Sequence, residues 1–314
     1  MSDPTTTLLR AARVALREQD FPKAIEALEQ LVAHANATGD TEAETRHLSS
    51  LALLYNRLGM SDEALDYLNR ALSLARANND RTSEGGLLGN IGNIQRELGN
   101  YDAATASLNQ ALVVAQEIGD MRGRGIWLSN LALVHDEINQ PEKAADMHAQ
   151  SVKIARDMRD ERGLAQRLGN MGSTLMSMGQ ILQALDHLHE AVSIYRRLGD
   201  DPALILWLTV MGNIYADLGE VVQGASRKEG YFVQALSQYR EALRIVRHSG
   251  DPITEAGVLA GMGNVYGNLG NYTDAITSFA DAMKLYRENG LDDEIPSLQH
   301  SIDLAKRLRE AAGG

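Results

Sequence analysis

Apolar residues return along this chain at steps of three and four, in blocks separated by short polar turns, and the blocks recur about every 40 residues. The unit is clearest from Leu88 to Asp120. Leu88, Ile91, Gly92 and Gln95 share one helical face, and Leu98-Gly99-Asn100 then breaks the pattern with turn chemistry. Ala104, Leu108, Ala111, Leu112 and Ala115 make a second apolar face, and Ile118-Gly119-Asp120 closes the unit. Glycine suits the left-handed end of one helix and aspartate the cap of the next. That aspartate recurs as Asp40, Asp80, Asp120, Asp160 and Asp200, while Pro202 and Pro252 stand where a helix begins.

Aligning the copies gives columns. A small residue recurs in the second helix as Ala24, Ala64, Ala104, Ala144, Ala184, Ala235 and Ala275. The first helix carries its counterpart as Ala12, Ala52, Gly92, Ala132, Gly172, Gly212 and Gly263, as two closely crossing helices require. Seven helical hairpins are predicted, over about 5–40, 41–80, 81–120, 121–160, 161–200, 201–251 and 252–290. The rhythm fails once: Asp200 to Asp251 spans 51 residues, which places an 11-residue insertion of loop composition near 220–231. Residues 292–311, with Ile295, Leu298, Ile302, Leu304 and Leu308, read as a helix capping the last hairpin, and Gly313-Gly314 as a frayed end.

Leu259-x-x-Met262-Gly263-x-x-Tyr266 followed by Ala275-x-x-x-Phe279 closely resembles the tetratricopeptide repeat (TPR), with Leu in place of its usual Trp. Gly89-Asn90-Ile91-Gly92-Asn93, Met211-Gly212-Asn213 and Met262-Gly263-Asn264 are similar to the Leu-Gly-Asn-repeat adaptors. Ser129-Asn130-Leu131-Ala132-Leu133-Val134-His135 is closer to kinesin light chain TPR domains. The resemblance implies an all-α, right-handed α-solenoid superhelix running over 1–314 as one array. The period is longer than the usual 34 residues, and the proline that normally ends the second helix is replaced by Arg76, Gln116, Arg156, Arg196, Arg247 or Arg287. The second helix is therefore expected to run on.

In this family the first helices line a concave groove. Asn90, Asn130 and Asn170 form one column there, and Asn93, Asn213 and Asn264 a second. An amide donates and accepts, so such a ladder can hold the backbone of an extended peptide; the alternative is that these side chains bond the neighbouring helix. Arg10, Arg13 and Arg17, with Arg46, Arg57 and Arg96, form a candidate basic lining that would select an acidic end of a partner; the alternative is a solvated face. Asn93 and Asn130 resemble the asparagine pair that grips chaperone tails, but Gly89, Gln166 and Asn170 stand where cations should surround them, so that reading is set aside. Trp127 and Trp207 are either groove anchors or packing between repeats.

Composition narrows the chemistry. The chain has no cysteine, a formal charge of −12 and a pI near 5.1, which disfavours thiol chemistry, thiolate metal sites and nucleic acid. Asp186-His187-Leu188-His189-Glu190 is the one histidine cluster, and residues two apart point to different sides of a helix. Gly261-Met262-Gly263-Asn264-Val265-Tyr266-Gly267 has the wrong spacing for a phosphate loop and follows no strand. No catalytic or metal residues and no cofactor are expected. Met1–Thr7 lacks the features of a secretory signal, and no run of about 18 apolar residues is evident, so a cytoplasmic location without membrane insertion is expected. The function implied is a non-catalytic scaffold or adaptor, monomeric or dimeric, holding a protein or peptide partner. The alternatives are a peptide-sensing regulator of bacterial signalling and a self-assembling structural protein.

Overall fold

Each apolar block becomes a helix because it combines a buried stripe with chemistry that closes both ends. The computed structural model describes residues 4–313; the features expected at Met1–Asp3 and Gly314 lie outside them. Contacts divide the chain into two units, Met1–Asp160 and Glu161–Gly314. The first holds α1 (Pro4–Arg17), α2 (Phe21–Thr38), α3 (Thr41–Arg57), α4 (Ser61–Ala77), α5 (Arg81–Glu97), α6 (Tyr101–Glu117), α7 (Met121–Glu137) and α8 (Pro141–Asp157). The second holds α9 (Glu161–Ser177), α10 (Ile181–Leu198), α11 (Asp201–Val221), α12 (Ala225–Ser249), α13 (Pro252–Asn268) and α14 (Tyr272–Glu288), then a 3₁₀ turn and α15 (Ile295–Ala311). In both units consecutive helices pair as hairpins, and no strand occurs among the described residues.

The recurring aspartates are helix caps. The carboxylate of Asp80 accepts from the Ser83 N–H at 3.0 Å, that of Asp120 from Gly123 at 2.8 Å, and that of Asp40 from Ala43 at 3.0 Å. Asp200 caps α11 and Asp251 caps α13 in the same way. At Gly119 (φ +71°) the chain turns through the left-handed region that glycine enters freely, and Asn79 (φ +54°) manages the same turn.

The second helices do run through the position of the missing proline, and the arginine there has a purpose. Arg76 Nε donates to Glu84 at 2.8 Å and Arg247 Nε to Glu255 at 2.7 Å, tying one hairpin to the first turn of the next. Asn36 meets Glu44 in the same register. Where that acid is absent, at Leu204, Arg196 pairs instead with Glu241 at 3.0 Å. Burial would raise the Glu84 carboxyl, but bonds from Arg76 and Arg81 outweigh it and hold the group below its ordinary range.

The small-residue columns are the crossing points of the hairpins. Ala24, Ala64, Ala104, Ala144, Ala184, Ala235 and Ala275 are all fully buried. A Cβ at Gly92 would lie 2.6 Å from Leu108 Cγ, and one at Gly263 2.6 Å from the Phe279 ring. In the hairpin of α7 and α8 the facing side chain is His148, fully buried with Nδ1 3.5 Å from Ser129 Oγ and Nε2 3.5 Å from the Asp136 carboxylate.

Three expectations are corrected. The insertion is not a loop: α11 and α12 are both lengthened and only residues 222–224 connect them, because the extra residues add turns to helices already begun. The capping helix buries Leu298 and Ile302 but leaves Leu304 and Leu308 more than 40% exposed, so part of its apolar face is not used for covering. Among the described residues, α11 is long and apolar enough to cross a membrane by length and composition. It is the first helix of a packed hairpin, with Leu204, Ile205, Leu208, Met211 and Ile214 buried in the core.

Candidate functional site

First helices of neighbouring hairpins touch within each unit: α3 meets α5, α5 meets α7, and α11 meets α13. The predicted asparagines all stand on first helices, α5, α7, α9, α11 and α13. In the first unit Asn90, Asn93 and Asn130 are half-buried; in the second, Asn170 is half-buried while Asn213 and Asn264 are exposed. Among the described residues, no hydrogen bond within the chain engages the side-chain amides of Asn90, Asn93, Asn130 or Asn264. Asn213 does have a partner, its amide oxygen accepting from the Tyr239 hydroxyl.

Four of the predicted residues gather in two places, while Asn93, Asn130, Asn170, Arg10, Arg13 and Arg57 line neither. A groove of about 520 Å³ between α3 and α5 brings Arg46 and Asn90 beside Ser49, Ser50, Thr82 and Ser83. A pocket of about 380 Å³ in the second unit brings Asn213 and Asn264 together with Asp217, Glu220, Asn268 and Tyr239. Sequence reasoning missed these last four. The signal was present, since Asp217 follows Asn213 and Asn268 follows Asn264 by four residues, on the same helical face. Burial, with the charge of Glu220 adding to it, pushes the Asp217 carboxyl above its ordinary range. Tyr239 is 98% buried (2% exposed), and burial pushes its phenol far upward, so it remains a neutral donor.

The candidate basic lining is fragmented. Arg46 binds Glu42 at 3.2 Å, Arg96 is paired with Glu137, and the Arg57 guanidinium sits 5.4 Å over the Phe21 ring. Arg10 and Arg13 are exposed on α1, and Arg10 borders a surface depression shared with Glu18, Asp20 and Lys23. Packing takes the tryptophans: a Cβ at Gly89 would stand 2.2 Å from the Trp127 indole, and one at Gly169 2.3 Å from that of Trp207. His189 shares a 2.8 Å hydrogen bond with Tyr215, and burial lowers its pKa. Among the described residues no group of three or more His, Cys, Asp or Glu gathers in a way that could hold a metal ion.

Successive helical hairpins packed one on the next define a helical-repeat protein. Family models described as tetratricopeptide repeat match residues 3–77, 84–157, 164–198 and 256–289, and the chain belongs to the tetratricopeptide-repeat family. The hairpin with the lengthened helices falls in the stretch left unmatched. No curated protein matches the chain by sequence. Among solved structures, the apo form of RapI is 12% identical with a TM-score of 0.64, covering 91% of this chain and 98% of its own. The region of a signal-transduction ATPase with numerous domains and a tetratricopeptide repeat sensor, from Pyrococcus horikoshii, is 16% identical with a TM-score of 0.68. It covers 97% of this chain, which spans 43% of that protein. The tetratricopeptide-like repeats of a putative kinesin light chain from Podosopora anserina are 19% identical with a TM-score of 0.50, covering 63% of this chain and 99% of their own. At these identities the likeness is one of fold alone.

Proposed function

We propose that this protein is a non-catalytic scaffold that holds an extended peptide segment of a partner against the inner faces of its first helices. The observation that carries this reading is that, among the described residues, no hydrogen bond engages the side-chain amides of Asn90, Asn93, Asn130 and Asn264, all of which stand on first helices. Each supplies a donor and an acceptor matching a peptide unit, and a preformed helical framework spares the protein much of the ordering cost of binding. Asn170 and Asn213 belong to the same columns. Arg10 and Arg13 suit an acidic group of such a segment; Arg46 and Arg57 reach one only by leaving Glu42 and Phe21, and contribute less.

Selection of a random peptide display library against the full-length protein tests the proposal. Enrichment of related linear sequences is expected, and a library that yields none after repeated rounds would count against groove binding. A sensing role is the second reading, favoured by the likeness to part of a protein whose description includes a tetratricopeptide repeat sensor. It predicts that a selected peptide changes the radius of gyration in solution scattering, whereas a rigid scaffold keeps it constant.

A further inference from the structure

The lengthened α11 does more than interrupt the repeat. A first helix of the usual 17 residues, such as α13, would end α11 at Asp217. The added turn carries Glu220 onward, where its carboxylate accepts a 2.8 Å hydrogen bond from the Asn268 amide of α13. That turn is what places a second acid in the pocket already holding Asp217, Asn213 and Asn264. No lysine or arginine lines the pocket, although the two acids are close enough for the charge of Glu220 to help raise the Asp217 carboxyl. Apart from Ser301, the other walls are apolar or aromatic. Leu304 and Leu308 of α15 enter the lining with exposed surface that the capping role does not use, and Tyr239 and Phe279 lie beneath. Tyr239 reaches this depth because its ring occupies the space of two missing side chains; a Cβ at Gly212 or at Gly261 would come within 2.8 Å of it.

We infer that this pocket, built by the insertion, receives an arginine or lysine side chain of the bound segment. The aliphatic stem lies along Leu304 and Leu308, and the cationic head meets Asp217 and Glu220, with the amides of Asn213, Asn264 and Asn268 as further acceptors. Long cationic side chains have this two-part character, apolar along the stem and charged at the tip, and the pocket matches both parts. Charge complementarity selects this occupant over an acidic or purely apolar one, since a carboxylate would add a third like charge and an alkyl group would leave the acids unpaired.

The inference rests on the groove-binding reading, and the display selection separates the two. Asp217 and Glu220 are exposed, so D217N/E220Q is expected to fold with an unchanged melting curve. Peptides selected on the native protein should share a lysine or arginine at one fixed position. Replacing it by norleucine, or binding to D217N/E220Q, should cost at least about tenfold in affinity, and the two losses should not add. Enriched peptides with no cation preference, or a preference that survives D217N/E220Q, would overturn the pocket assignment while groove binding stands. No enrichment at all would remove both.

Discussion

Two glycines one turn apart on α5 show how much one hydrogen atom can decide. A Cβ at Gly86 meets nothing within 4 Å, whereas one at Gly89 would run into Trp127. Gly86→Ala should therefore stabilise the protein by up to about 1 kcal/mol through helix propensity alone. Gly89→Ala gains the same propensity but must displace a buried indole, at a cost of about 1–3 kcal/mol, and should come out neutral to destabilising. Urea unfolding of both variants checks the pair; equal stabilisation would mean that Trp127 does not pack there. The sequence showed the small residues at hairpin crossings, because they recur in register. It did not show why Gly89 is small, because its partner lies 38 residues away in a different hairpin. His148 escaped for a related reason, since a polar residue in an apolar column reads as exposed until Ser129 and Asp136 are seen beside it.

Among the elements, the caps are the most legible feature and the insertion the least. An aspartate before a helical stripe has one obvious local use, and Asp80 fulfils it. Asp80→Ala should cost about 1 kcal/mol. The bond from Ser83 holds the Asp80 carboxyl below its ordinary value of 3.8. Its contribution is therefore complete above the unfolded-state value and is lost as pH falls through the folded one. The stability difference between native protein and Asp80→Ala should accordingly be constant near neutrality and shrink on acidification below about pH 4. A difference that does not change with acid would show that the cap acts without its charge. The insertion misled because Gln223, Gly224 and Ser226 look like a loop locally, whereas the flanking apolar residues, with Phe232 buried against Gly219, extend two helices that were already nucleated.

At the scale of the molecule, the family and the hairpin architecture were legible, because seven copies reinforce one another. The candidate site was legible only in part. Asparagine columns stand out in a repeat alignment, but Asp217 and Asn268 differ in type at matching positions of their helices and Glu220 stands where other copies carry Asn100, Gln140, Gln180 or Asn271, so only the folded hairpins bring the three together. The apparent basic lining failed as a surface because neighbouring acids, such as Glu42 for Arg46, take up its charges. For a chain of charge −12, binding of a cationic segment should also weaken as salt rises, mainly through slower association.

The central claim is that the inner-face amides hold a peptide, and isothermal titration of one selected peptide against N90A/N93A/N130A tests it most directly. The variant should melt within a few degrees of the native protein, since no hydrogen bond among the described residues engages these side chains. With each amide contact contributing about 0.5–1.5 kcal/mol, its affinity should fall at least about tenfold. Unchanged affinity, or a collapse in melting temperature, would contradict the account.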